Sequence, residues 1–526
     1  MDISQLTLRE KIGQTMMINN FERFCEQYGS AEAFLEAYPI GLVYLGGSLV
    51  GERLFGKDYM ETPNVKAAKA AKCPILFGGD MEFGRVLNGM ASLPSLMNLG
   101  AANDLELAYE YGRSIGYGAI QAGNQWVLGP CVDLNVNPDN QIVLTRSIGD
   151  DPERAVALLK EMIRGIEDCG IVVCAKHFPG LGSENVDSHI APIGLPLTKE
   201  EWDESVRKVY EALIKDGLSA VMTAHVPLPA YQTPLEDGSY QVATVSSEIT
   251  QKLLKDDLNF NGVVVTDALA MGGVSGSTLD IEIESFKAGS DVLLWPSLEY
   301  MDVLEQKILS GEISEERLND AVRRVLNLKE KAGLFDENKS TPNVSHLPDV
   351  AQRIADKSIT LLNNKRKLLP LDSKKIKKVF MVLVTPFEKR EIRVPIYQAL
   401  VDLFKERGIE VVFKTDAWLP DLRENADCDL NLFVIDRTPM IFHGSKDIYG
   451  ENAASVWASQ ASDKNKTLIV TFGNPYIYAK YYEGIEHYIN AYHPSEPVFA
   501  ALVRAIFGEI PFQGISPVEL KAYYKK

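Results

Sequence analysis

From residue 39 onward, short runs of β-branched and aliphatic residues alternate with longer stretches whose apolar positions recur at helical spacing. That alternation is the signal for parallel βα units. The runs IGLVYLGG (40–47), PILFGGD (74–80), QWVLGPCVDL (125–134), IVVCAKHF (171–178), SAVMTAHV (219–226), GVVVTDAL (262–269) and DVLLWP (291–296) predict strands. Between them, LELAYEYGRSIGYGAIQAG and PERAVALLKEMIRGIEDCG predict helices, each closed by the glycine that often ends one. Five of the strand runs end in polar groups: Asp80, Asp133, Lys176 with His177, His225 and Asp267. Parallel strands that each deliver a polar residue at the C-terminal end predict a (β/α)8 TIM-type barrel, whose active site is assembled there. An open doubly wound sheet would need such ends only at its switch point.

The pattern divides the chain. The barrel domain is expected over 1–338, closed by the helical run SEERLNDAVRRVLNLKEK. A linker containing Pro, Asn and Ser follows over 339–374. The alternation then restarts as KKVFMVLVTP, IEVVFKT, DLNLFVID, TLIVTFGNP and EHYINAYH, which predicts a second, smaller α/β domain over 375–526. No Gly/Ser-rich tether separates the two, so they are expected to pack together.

Composition narrows the partners. With 46% hydrophobic and 24% charged residues, the chain reads as globular rather than disordered. A net charge of −18 disfavours nucleic acid and anionic membrane as partners, because most of the surface would repel them. A neutral small molecule is not disfavoured. The start MDISQLTLREKIGQTMMINN places Asp2 and Glu10 where a signal peptide would be basic and then apolar, and no run is long enough to span a bilayer. Cys25, Cys73, Cys131, Cys169, Cys174 and Cys428 are scattered without CxxC spacing, which predicts reduced thiols and a cytoplasmic protein.

The candidate chemistry concentrates in AKHFPGLGSENVDSHIAP (175–192), which holds two of only 7 histidines. A strand runs into Lys176–His177, PGLG forces a turn, and the polar segment SENVDSH hangs beyond it. Asp187 and His189, two positions apart in such a loop, can face the same way. A carboxylate on one ring nitrogen orients an imidazole and favours its protonated form, the equipment of a general acid/base. The alternative is an exposed Asp–His pair without consequence. Asp267 follows the apolar run VVVT, where an unpaired charge is costly; it fits a nucleophile or a stabiliser of a developing cation, and equally a helix N-cap. Asp80 offers a hydroxyl-binding acid and Arg146 a multi-donor base, and each also fits an ordinary structural ion pair. Asp133 fits an organiser of the Asn/Pro turns after its strand, and His225 a packed strand-end residue.

Together these residues resemble glycoside hydrolase family 3, in its β-N-acetylglucosaminidase branch. The branch's KHFPGxG…DSH loop stands here as KHFPGLGSENVDSH. Its D-x-E-G-G-R-V segment is matched by DMEFGRV, its P-x-x-D-x-N-x-N-P…R-S segment by PCVDLNVNPDNQIVLTRS, and its nucleophile segment by VVTDALAM. FGNPY, INAYH and AIFGEIPFQGISPV are similar to the family's second domain, an α/β/α sandwich. The resemblance implies a cofactor-free, metal-free retaining enzyme acting on a small saccharide, with muropeptide or chitin fragments as sources. Asp267 would be the nucleophile and His189, oriented by Asp187, the acid/base. Asp80, Lys176, His177 and Arg146 would bind sugar hydroxyls. An imidazole already titrates near ~6.5, so proton donation at neutral pH needs no strongly raised carboxyl. Phe83 stands in place of the pattern's first Gly, and Asn88 where bacterial members often have a sugar-binding arginine.

Rival readings remain open. A phosphorylase would share every residue named, with phosphate replacing water, and a β-glucosidase of the same family would differ in the sugar. A metal-dependent hydrolase could use His177, His189 and His225, but the usual closely spaced histidine pair is missing. A sugar-binding scaffold would be expected to have lost Asp267 or the Asp187–His189 pair. Whether two copies form a homodimer is not legible.

Overall fold

Eight short apolar segments pair in register, all parallel, in the computed structural model, which describes residues 1–47, 61–82, 93–185, 194–273, 276–336, 349–438, 448 and 452–520. They are β1 (Met16–Ile18), β2 (Leu42–Gly47), β3 (Leu76–Asp80), β4 (Trp126–Val127), β5 (Val172–Phe178), β6 (Ala220–Thr223), β7 (Val263–Thr266) and β8 (Leu293–Leu294). Their order is β7-β6-β5-β4-β3-β2-β1-β8, and a parallel bridge between Val265 and Val292 joins the two ends into a barrel. Met17, Leu42, Leu76, Trp126, Val172 and Val263 fill its interior with other alternate residues. The opposite faces, through Met16, Ile18, Val43 and Phe77, pack against helices carrying Phe21, Phe34, Tyr300 and Leu318. Each large side chain buried in this way contributes about 1.5–3 kcal/mol.

Seven of the strands lie within the runs the hydrophobic pattern picks out. The exception is β1, whose three residues sit between Thr15 and Asn19 and fall short of the run length that signals a strand. β4 is far shorter than its apolar run. Pro130 has no N–H for a ladder, so regular pairing stops at Val127. Single backbone bonds continue beyond it, Leu128 N–H to Gly79 O at 2.9 Å and Val132 N–H to Lys176 O at 2.8 Å.

The chain forms two compact units. The first comprises residues 1–90, 108–134 and 159–347; the second comprises 91–107, 135–158 and 348–526. The connections that follow β3 and β4 therefore lend segments to the second unit. There, β9 (Thr360–Asn364), β10 (Lys378–Val384), β11 (Glu410–Thr415), β12 (Leu430–Arg437), β13 (Thr467–Gly473) and β14 (His487–Tyr492) form one sheet in the order β11-β10-β12-β13-β14-β9. Only β9 runs antiparallel. The helices Arg390–Lys405 and Glu496–Ile506 cover one face, and Ala453–Ala461 covers the other, giving an α/β/α sandwich. The interval 339–374, read from sequence as a linker, contains the helix Val350–Ser358 as well as β9. The helix buries Val350, Ala351, Ile354 and Ala355, and that apolar face binds it to the sandwich. Among the described residues, no helix is long and apolar enough to cross a membrane.

The end of the barrel where the strands begin is held by buried charge. Asp291, just before β8, is fully buried; its carboxylate accepts from Lys255 Nζ at 2.7 Å, Arg317 Nη1 at 3.2 Å and Val264 N–H at 2.9 Å. Burial alone would raise its pKa, but Lys255, Arg317 and Arg324 outweigh that and hold it below the ordinary 3.8. Removing one member of such a cluster leaves the others uncompensated. Asp291→Ala is expected to cost about 3–5 kcal/mol at neutral pH, read as a lowered thermal midpoint. A carboxyl with a depressed folded pKa contributes stability above its unfolded value and loses it as pH falls through the folded one. The gap between wild type and variant should therefore narrow below pH 3.8.

Candidate active site

Strands buried on both faces can carry charge only where they end, and β3, β5 and β7 each end in it. Asp80 closes β3, Lys176 and His177 lie near the end of β5, and Asp267 follows β7 directly. Register sets them at one level. Thr223 of β6 pairs with both Phe178 and Thr266, and Asp267 N–H donates to Thr223 O at 3.0 Å. The buried Cys174 thiol on β5 reports the same proximity. Its pKa is raised, first by burial, and it feels the charges of Lys176, Asp80 and Asp267.

Lys176 is the hub of this cluster. Its ammonium, 3% exposed, lies 2.6 Å from Asp80 Oδ1 and 2.7 Å from Glu82 Oε1. Glu82 is fully buried, whereas the Asp80 side chain keeps 20% of its surface and also accepts from Tyr44 OH at 2.8 Å. Tyr44 in turn meets Trp295 edge-on, ring centres 5.2 Å apart. Trp295 holds φ at +63°, a conformation that is strained for a bulky residue and gathers at functional sites.

A second buried carboxylate organises the exit of β5. Asp133 Oδ2 lies 2.8 Å from His177 Nδ1 and accepts from His177 N–H at 3.2 Å and the Cys131 thiol at 3.1 Å; Oδ1 accepts from Leu181 N–H at 2.7 Å. It therefore orients the imidazole and ties down the first turn of the glycine-rich loop. Gly180 holds φ at +115°, where a side chain would be strained and would press on Val206. Trp202 Nε1 donates to Pro179 O at 2.8 Å and fastens the same turn from outside. Asp187, His189, Phe83 and Asn88 lie outside the described residues. Cys131, Asp133 and His177 are spaced as metal ligands could be, yet Asp133 Oδ2 already meets three hydrogen-bonding groups, which argues for a hydrogen-bonded anchor.

Asp267 is half-buried, and its Oδ1 accepts from the adjacent Ala268 N–H at 2.7 Å. His225 supports that segment: one ring nitrogen lies 2.8 Å from Thr244 Oγ1 and the other 3.0 Å from Ala268 O, so the ring is the packed strand-end residue its sequence context fits. Arg146 belongs to the second unit, buried at the end of the turn Leu144–Arg146, with Nη1 to Ile142 O at 3.5 Å. The structure thus brings together Asp80, Lys176, His177 and Asp267. It adds Tyr44 and Trp295, which the sequence reading passes over, gives Glu82 of the DMEFGRV segment a partner in Lys176, and raises Asp133 from turn organiser to partner of His177. Asp133 was already visible as a polar strand end; Tyr44 and Trp295 look like ordinary core aromatics in the sequence. Asp133→Ala strands several buried donors at about 1–3 kcal/mol each. An overall loss of about 3 kcal/mol in denaturant unfolding is expected, and one under about 1 kcal/mol would remove Asp133 as the anchor.

Comparison with known proteins agrees with this geometry. The family model described as the glycosyl hydrolase family 3 N terminal domain matches residues 7–328. A protein of Cellulomonas fimi named β-N-acetylglucosaminidase/β-glucosidase is 29% identical over 481 residues, covering 85% of this chain and 84% of that one. Among solved structures, the β-glucoside phosphorylase BglX superimposes with a TM-score of 0.85 at 26% identity, covering 99% of this chain and 95% of that one. A family 3 β-N-acetylglucosaminidase from Paenibacillus sp. str. FPU-7 gives 0.80 at 27% identity, covering 98% and 99%. With the matched region taking in every barrel strand and each of the strand-end charges, the chain belongs to glycosyl hydrolase family 3.

Proposed function

We propose that the protein is a retaining exo-β-N-acetylglucosaminidase, releasing terminal N-acetylglucosamine from small saccharides through a covalent glycosyl-enzyme. The Asp267 carboxylate carries this reading. It is partly solvent-accessible, fixed by a backbone N–H, and shares its end of the barrel with Asp80, Lys176 and His177. In this reading Asp267 attacks the anomeric carbon as the bond to the leaving oxygen breaks, and His189, oriented by Asp187, gives that oxygen its proton. His189 then takes a proton from water, which attacks the same carbon and frees Asp267. Asp80 accepts from sugar hydroxyls and Lys176 donates to them. The carboxylates around a single lysine favour the positive charge that develops on the sugar.

The N-acetylated sugar is supported by the DSH loop and by the names of the Cellulomonas fimi and Paenibacillus relatives. The six cysteines, all buried and none in a disulfide, support a cytoplasmic setting and soluble fragments as substrates. A second reading, phosphorolysis, is favoured by the likeness to BglX. It keeps every role above and lets phosphate take the place of water.

Nitrophenol release from the 4-nitrophenyl β-glycosides of N-acetylglucosamine and glucose, each with and without phosphate, separates these readings. Phosphate-independent release from the N-acetylglucosaminide is expected. A phosphate requirement, with a sugar 1-phosphate as product, would establish phosphorolysis, and preference for the glucoside would sink the sugar assignment. Asp267→Ala should lower kcat by about 10^4-fold. His189→Ala should cost most with poor leaving groups; equal losses on activated and unactivated glycosides would take His189 out of the acid role.

A further inference from the structure

The second unit carries a polar centre that no step above uses. Its strand order β11-β10-β12-β13-β14 reverses at β10: the chain leaves β10 for β11 on one side and returns past it to β12 on the other. Open parallel sheets bind ligands in the crevice outside the C-terminal ends of their strands at such a point. Here the ends of β10, β11 and β12 deliver Thr385, Asp416, Asp436 and Arg437, and the helix Arg390–Lys405 begins just after Lys389. Asn452 stitches the rim together. Its Nδ2 donates to Thr385 O at 3.2 Å and Asp416 Oδ1 at 2.8 Å, and its Oδ1 accepts from Arg437 Nη2 at 2.7 Å.

Among the described residues, the charges at this point do not cancel. Arg390 pairs with Asp416, and Arg393 Nε lies 3.3 Å from Asp436 Oδ2. Arg437, 1% exposed, gives Nη1 to the Asp436 carbonyl at 3.0 Å and Nη2 to the Asn452 amide, both neutral acceptors, and its Nε has no hydrogen-bond partner among the described residues. Lys389, 3% exposed, has no hydrogen-bond partner for Nζ among the described residues. The charged groups around it are Arg393, Asp436, Arg437 and the exposed Glu388. Burial first, then Arg393, pushes Lys389 down to about 8, while burial and Arg393 push His493 down to about 4, which leaves His493 neutral. A buried cation without a hydrogen-bond partner is costly, and one that also feels the charge of Arg393 and Arg437 is more so unless an anion completes it.

We propose that this crevice binds a compact dianion of the phosphate class, held by Lys389, Arg437 and the N-terminal end of the Arg390–Lys405 helix. The helix adds the partial positive charge of its N-terminal end to the side-chain cations. Among the described residues, Lys389, Arg390, Arg393 and Arg437 outnumber the buried carboxylate Asp436 and its neighbour Asp416 by two charges, which matches a phosphate dianion better than a single carboxylate. The ligand is either free phosphate or the phosphoryl group of a phosphorylated sugar.

Calorimetric titration of the full chain with inorganic phosphate and, separately, with glucosamine 6-phosphate tests this. Saturable binding of at least one is expected, together with a rise in thermal midpoint that grows with ligand concentration. A sugar phosphate binding at least ten times more tightly than phosphate would identify the phosphosugar as the source; parity would identify the free anion. Lys389→Met keeps the volume while removing the charge, and should unfold no earlier than wild type without ligand but bind at least tenfold more weakly. Asp267→Asn should bind as wild type does, which separates this site from the barrel and from the proposed hydrolysis. Absence of saturable binding, an unchanged affinity in Lys389→Met, or loss of binding in Asp267→Asn alone would overturn the proposal.

Discussion

Closing an eight-stranded parallel sheet on itself buries both faces of every strand. Cys174, Val172, Met222 and Val265 can point inward only because they are apolar, and ionisable side chains are driven to the ends. The two ends then take different work. Where the strands begin, Asp291 is locked by Lys255 and Arg317 into a cluster that stabilises the fold. Where they finish, Asp80 and Asp267 keep contact with solvent, and charge is left in a form that a ligand can meet.

That second end is ordered by two buried carboxylates that themselves stay out of reach. The buried Glu82 and the partly exposed Asp80 both hold the Lys176 ammonium. Asp133 gathers the ring and backbone of His177 and the backbone of Leu181. A lysine balanced in this way is fixed in position at little rotational freedom, so a ligand arriving beside it meets groups already oriented. The same Asp133 holds both the end of β5 and Leu181, so the strand and the turn that follows it share one anchor.

The second unit follows a different rule. Its sheet is open, so its polar groups collect at one reversal of strand order rather than around a ring. Asp416, Asp436, Asn452 and the basic start of the Arg390–Lys405 helix meet there. Segments 91–107 and 135–158 fold with it: Asn98 Nδ2 donates to Ser358 Oγ and Ala491 O, and Tyr476 OH donates to Asn135 O. These are buried polar contacts between residues hundreds of positions apart. Substituting one partner strands the other.

What the sequence by itself determined was whatever local pattern expresses. Strand runs, their polar ends, the turn made by Pro179 and Gly180, and the parallel alternation of both units follow from periodicity and from the backbone limits of Pro and Gly. The grouping of Asp80, Lys176, His177 and Asp267 was legible for the same reason, since each ends a strand of one barrel. Only the tertiary structure decided which charges face which. Nothing near Lys176 in the chain marks Glu82 as its buried partner, and nothing near His177 marks Asp133. Tyr44 and Trp295 read as core until the barrel closes and brings them edge to face. The helix and strand inside 339–374, and the lending of two barrel connections to the sandwich, were hidden likewise. Partnership at long range is set by burial, where an unpaired polar group is costly, and burial does not exist until the chain has folded.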